Sequence, residues 1–238
     1  MNSRISAYVL VQTMKTNKIE ERFNRGAKGY DSRRKYFVPF MNEFYSAGIK
    51  LIAGERQFKS IIDLGAGTGL LAEMLSREFP GASFTLVDVS ADMLDAARKR
   101  FAGMVNFRFV NEDYTLRLPE GKYDLAASAL SIHHLPDNEK ARLYKRVYDS
   151  LNKGGWFLNI DQYNSENRLV NCLFTGAWNR YMDKMGLPKN ELRRLKLRRR
   201  LDRETTMQKE LDGLKKAGFR ECGRAFQYLK FGVIVARK

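Results

Sequence analysis

Three glycines at alternate positions, Gly65, Gly67 and Gly69, follow an acid, Asp63, that ends the β-branched run Ile61-Ile62. An apolar helix pattern begins directly afterwards. The segment therefore reads as strand, tight turn and helix start, a place where a nucleotide-like cofactor can approach bare backbone. The spacing narrows the ligand. A dinucleotide turn has glycine at its first, third and sixth places, and the sixth place here is Leu70. The Gly-Lys-Ser/Thr of a phosphate-cradling loop is absent from this turn as well. A second acid, Asp88, ends the apolar run Phe84 to Val87, where a carboxylate can accept both hydroxyls of a ribose. The two histidines, His133 and His134, are adjacent, and either imidazole could take a proton near neutral pH. The alternative for the pair is packing, with bonds to nearby backbone.

Four further segments stand at set distances from this turn. They are Val87-Asp88-Val89-Ser90 with Met93-Leu94 behind it, Asn111-Glu112-Asp113-Tyr114, Tyr123 to Ser128, and Leu151 to Leu158. In this order the five segments resemble the motifs of the class I S-adenosylmethionine-dependent methyltransferases, over roughly residues 58–161. The resemblance implies S-adenosyl-L-methionine as cofactor. Gly65, Ala66, Gly67 and Gly69 would form its backbone wall, with Asp63 near the methionyl ammonium. Asp88, with Val89 beside it, would take the ribose. Asp113 would receive the adenine amino group with Tyr114 next to it, and Met93 would offer adenine an apolar face. Ser128 and Ala129 would line the methionyl side. Gly29-Tyr30-Asp31-Ser32-Arg33-Arg34 resembles a Tyr-Asp-x-x-Arg element that folds over the cofactor in a subset of the family. Tyr30 and Arg34 would then hold it, a guanidinium pairing with a carboxylate through two bonds. Plainer readings stay open for Asp63 as a helix cap, for Met93 as core and for the Tyr30–Arg34 stretch as a basic turn.

Ser131-Ile132-His133-His134-Leu135 resembles the small-molecule branch of the family, so the expected acceptor is an O, N or S atom of a small molecule. His133 and His134 are the candidates for a catalytic base, and Asp161 and Tyr163 could face the acceptor. The strand end at Ser128-Ala129-Leu130 lacks Asn/Asp-Pro-Pro-Tyr/Phe, a cysteine nucleophile and a metal-binding carboxylate. Methylation of planar amino groups, covalent pyrimidine chemistry and a metal are accordingly not expected.

The elements that must position these residues follow from periodicity. Helices are expected over Lys18–Ala27, Arg34–Ala53, Gly69–Phe79, Ala91–Phe101 and Asp137–Leu151, alternating with strands in the manner of a parallel sheet. Residues 162–204 interrupt the alternation with helical pattern, broken at Gly186-Leu187-Pro188. The fold class is α/β, and the family implies a Rossmann-like sheet of seven strands with helices on both faces and a reversed last strand at its edge. The expected organisation is a helical lid at 1–55, a cofactor core at 56–161, a helical cap at 162–204 and completion of the sheet at 205–238.

A net charge of +16 raises the prospect of RNA as partner. Arg193, Arg194, Lys196, Arg198, Arg199, Arg200 and Arg203 are clustered, yet Leu192, Leu195, Leu197 and Leu201 interleave with them as in an amphipathic helix with a basic polar face. An RNA methyltransferase is therefore one alternative. A cofactor-binding interaction protein, with the cap as a homodimer surface, is another. The apolar stretch Tyr8 to Val11 is too short to span a membrane, and Cys172 and Cys222 make no framework or metal-spaced pair. A cytoplasmic location without membrane partner is expected.

Overall fold

The computed structural model describes residues 30–34, 36–199 and 202–238. Seven strands, β1 (Ser60–Leu64), β2 (Ser83–Asp88), β3 (Phe107–Asn111), β4 (Tyr123–Ala129), β5 (Leu151–Gln162), β6 (Glu221–Tyr228) and β7 (Phe231–Arg237), form one sheet. Their order is β3-β2-β1-β4-β5-β7-β6. β1 pairs in parallel with β2 on one side and β4 on the other, and the chain order reverses there. Such a reversal opens a crevice beyond the C-terminal strand ends, and Asp63, Asp88 and the histidine turn all lie at those ends.

The central strands are buried on both faces, as parallel strands under crossover helices must be; all seven residues of β4 are buried. One face packs a cluster that includes Phe44, Phe84 and Trp178, and the other packs Leu143, Phe157 and Met207. β7 runs antiparallel to both β5 and β6. The reversed strand is thus not the edge, contrary to expectation. Its Phe231, Gly232, Val233 and Ile234 are buried, whereas β6 has no buried residue and tolerates the rim.

Helices α1 (Tyr30–Arg34) and α2 (Met41–Ala53) precede the sheet. The helix expected from Arg34 instead begins at Met41. Pro39 disfavours helical backbone at Val38, and Phe40 adopts a left-handed φ of 49°. The expected helix at 18–27 and most of the lid at 1–55 lie outside the described residues. Helices α3 (Leu70–Glu78), α4 (Ala91–Arg100) and α5 (Asp137–Ser150) stand within a residue of their sequence boundaries. Between β5 and the closing helix α8 (Met207–Ala217) lie α6 (Arg168–Lys184) and α7 (Lys189–Arg199), parted at Gly186 as the sequence predicts.

Trp178 fixes this insertion to the rest of the molecule. Its Nε1 donates to Phe37 O at 2.6 Å, its ring meets Phe231 edge-on, and the Arg199 guanidinium lies 3.6 Å over it. In α7 the interleaved leucines divide: Leu195 is buried, but Leu197 is 52% exposed because it points away from the Leu192–Leu195 side. Among the described residues no helix is long and apolar enough to cross a membrane.

Candidate active site

The glycine turn is built for close approach. The Gly65 and Ala66 N–H groups donate to Val87 O at 2.8 and 3.0 Å, tying the turn to β2. Gly65 has φ +69°, and a Cβ there would stand 1.9 Å from Ser131 Oγ. Gly67 has φ +57°, but a Cβ there would meet nothing within 4 Å. The first glycine therefore admits the loop after β4, while the second faces open space. Both left-handed conformations favour glycine.

Two acids flank that space. Asp63 is 1% exposed, and neither carboxylate oxygen has a partner at full hydrogen-bond geometry, the Ala72 N–H acting on it only weakly. Burial, with repulsion from Asp88, pushes its pKa up to about 7, although Arg34 opposes the rise. Asp88 accepts from Gly67 N and Ser90 N, each at 2.8 Å, and burial nonetheless holds it above the usual carboxylate range. Ser90 in turn caps α4 through Met93 N. Val89 O receives the Asn111 amide at 2.8 Å. Asp113 stands at the end of β3 and accepts from Thr115 N at 2.8 Å.

Helix α1 is latched over the turn by contacts the sequence reading missed. Asp31 accepts from the Thr68 hydroxyl at 2.6 Å and pairs with Arg100. Arg100 also reaches Glu73 and, at 2.9 Å, Thr68 O. The latch sets the buried Arg34 where its charge acts on Asp63. The only available signal was Asp31 within the Tyr-Asp-x-x-Arg element. The expectation for the Tyr30 side chain lies outside the described residues.

Beyond β4, Leu130 takes a left-handed φ of 52° and the chain enters a short 3₁₀ turn over Ile132–His134. Strain of this kind gathers at functional turns. Asp161, at the end of β5, accepts from His133 Nδ1 at 2.5 Å, His133 N at 2.9 Å and Gln162 N at 2.9 Å. A carboxylate so placed fixes the proton on Nδ1 and leaves Nε2 toward Gln162 and Asp202, at 3.5 and 3.9 Å. Burial works against a charged His133, but the Asp161 carboxylate outweighs it and raises the pKa. His134 meets Asp202 Oδ1 through Nδ1 at 3.1 Å, yet burial and the His133 charge bring it down to about 4. Adjacent histidines are thereby given opposite proton affinities. Asp202, 68 positions beyond His134, carried no sequence signal.

Three further expected cofactor residues are buried, as Asp63 and Asp88 are. Ser128 is fully buried and donates to Leu64 O at 2.8 Å. Met93 is 1% exposed. Tyr114 is buried, with its hydroxyl 2.7 Å from Ser131 Oγ, so it braces the loop above Gly65. Ala66 and Ala129 are buried at the strand ends beside the turn.

Comparison with known proteins agrees with this fold. Residues 61–155 match the family described as a methyltransferase domain. Over 141 residues the chain is 28% identical to malonyl-[acyl-carrier protein] O-methyltransferase 1 of Ilyobacter polytropus, covering 58% of this chain and 49% of that protein. Over 225 residues it is 27% identical to carboxy-S-adenosyl-L-methionine synthase of Nautilia profundicola, covering 89% of this chain and 92% of that one. The chain thus spans about half of the first relative and most of the second. Human N-acetylserotonin methyltransferase, solved with S-adenosylmethionine, superposes with a TM-score of 0.59 at 21% identity, over 82% of this chain and 51% of that one, a likeness of fold.

Proposed function

The chain belongs to the class I S-adenosylmethionine-dependent methyltransferases, and from that premise we propose that it transfers a methyl group to an O, N or S atom of a small molecule. The observation that carries the reading is Asp63, a buried carboxylate without a full hydrogen bond beside an open glycine turn. A buried acid without a well-placed donor is strongly unfavourable, and the methionyl ammonium of the cofactor is the group that would relieve it. Asp88 would take the ribose hydroxyls with its remaining lone pairs, and Asp113 the adenine amino group. The Gly65–Gly69 backbone would lie along the methionyl chain, under α1 and Arg34. When bound, S-adenosylmethionine supplies an electrophilic methyl group on a sulfonium.

The protein's part is to align the acceptor, exclude water and, for a hydroxyl or thiol acceptor, remove a proton. His133 suits that last task better than His134. Asp161 orients its ring and strengthens it as a base, whereas the affinity of His134 for a proton is depressed. The insertion of α6 and α7 would act as the cap over the acceptor.

The test is transfer of labelled methyl from S-adenosylmethionine into a cell extract, with and without prior ribonuclease treatment. Label retained in the small-molecule fraction is expected. Label lost after ribonuclease would favour an RNA acceptor gripped by the basic helix, and binding without turnover would favour an interaction protein. A second reading draws on the relative matched along nine-tenths of its length, a carboxy-S-adenosyl-L-methionine synthase. On that reading the chain would move a carboxyl group from a carboxylic-acid co-substrate onto the cofactor, a proton leaving in exchange, and mass analysis of the cofactor after incubation with the extract separates the two.

A further inference from the structure

A cavity of about 710 Å³ lies where α6, α7 and the segment before α8 meet the end of the sheet. Four cations line it, Lys196, Arg199, Arg203 and Lys230, against two acids, Asp202 and Glu204. Glu204 pairs with Lys230, which leaves three cations against Asp202, whose Oδ1 lies 3.1 Å from His134 Nδ1. Arg199 is fixed flat on the Trp178 ring, with one N–H on the neutral Asn179 amide at 3.1 Å, so it is positioned without being neutralised. The Lys196 and Arg203 side chains have no ion-pair or hydrogen-bond partner among the described residues. Arg203 is locked to the histidine turn by its backbone: its N–H donates to His133 O at 2.7 Å, and its carbonyl accepts from Lys140 Nζ at 3.1 Å.

We infer that this cavity is the acceptor pocket and that it takes a molecule bearing an anionic group, carboxylate or phosphate, between Lys196, Arg199 and Arg203. Asp202 lines the cavity and lies 3.1 Å from His134 and 3.9 Å from His133, so the cavity borders the histidine turn. The inference rests on the proposed reading of the glycine crevice as the cofactor cleft. An extended nucleic acid would instead need the cations outward along α7. Arg193, Arg194 and Lys196 are all exposed, but Arg194 pairs with Glu191 at 3.0 Å, Lys196 stands on the rim of the cavity and the partly buried Arg199 lines it.

The experiment is calorimetric titration of the full chain with S-adenosylhomocysteine, and then of the loaded protein with malonate, inorganic phosphate and the uncharged malonamide. Malonate or phosphate should bind and malonamide should not, and the stronger of the two anions identifies the group. Lys196→Gln with Arg203→Gln should weaken the anion by roughly tenfold or more and leave S-adenosylhomocysteine binding unchanged. Glu204→Gln releases Lys230 and should tighten the anion by roughly threefold or more, a gain that misfolding cannot produce. Equal binding of malonamide and malonate, or unchanged anion affinity in the double variant, overturns the inference. So does an RNA oligonucleotide that binds through the same two residues when neither small anion does. Failure of S-adenosylhomocysteine to bind removes the cofactor reading and this inference together; its binding without either anion overturns the inference alone.

Discussion

Replacing Asp63 by asparagine should make the ligand-free protein more heat-stable above neutral pH and poorer at holding its cofactor. The folded chain buries this carboxyl without a full hydrogen bond, and its pKa rises from 3.8 to about 7. Below 3.8 both folded and unfolded chains carry the proton, and nothing is at stake. Between 3.8 and about 7 only the folded chain keeps it, so stability falls as pH rises; above 7 the full penalty applies. A rise of that size corresponds to about 4 kcal/mol. Asparagine abolishes the charge but adds an amide that costs about 1–3 kcal/mol if unpaired. The balance is a gain of about 1–3 kcal/mol, and at about 2–4 °C per kcal/mol the melting temperature should rise by roughly 2–12 °C near pH 8.5.

Scanning fluorimetry across a pH series checks this. The advantage should shrink continuously as pH falls through about 7 toward about 4. S-adenosylhomocysteine should raise the melting temperature of the native chain far more than that of the variant, whose affinity should drop by roughly tenfold or more. A difference in melting temperature that does not change with pH, or a variant less stable than the native chain near pH 8.5, would refute the placement of an uncompensated carboxylate under the glycine turn.

Gly65→Ala should destabilise the fold by about 1–3 kcal/mol, and Ser131→Gly should restore part of the loss, as read by urea denaturation. Asp161→Asn removes the carboxylate from His133 Nδ1 and leaves burial to act, so the ring should titrate at lower pH. NMR of the His133 ring and the acid limb of the methyl-transfer profile should both move that way, and an unmoved limb would exclude His133 as the base. Lys140→Met removes the ammonium 4.0 Å from Glu210, a buried acid that also accepts from the Tyr144 hydroxyl and whose pKa is already lifted to about 7 by burial. The loss should approach about 3 kcal/mol above neutral pH and be partly recovered in Lys140→Met with Glu210→Gln, which removes the charge and keeps an acceptor for the Tyr144 hydroxyl.

Much of the candidate site was legible because its signals are local. A strand end, an acid and alternating glycines define the turn within nine residues, and Asp88 and Asp113 are marked in the same way by the apolar runs before them. Helix boundaries in the core followed from periodicity for the same reason: the residues that decide them lie within one or two turns. The sequence by itself thus determined the α/β alternation, the glycine turn and the kind of cofactor it suits.

The tertiary structure decided what joins those pieces. Asp31 reaches Thr68 across 37 positions and Arg100 across 69, and no local pattern encodes such pairings. His133 and His134 are indistinguishable as letters. They separate only when β5 brings Asp161 against one ring, 28 residues away, and the segment after α7 brings Asp202 against the other. The edge went to β6 because the more apolar β7 needed cover on both sides. Likewise, periodicity could mark α7 as basic but could not say which cations turn inward. That depended on Trp178 seating Arg199, a matter of packing between elements rather than of residue order.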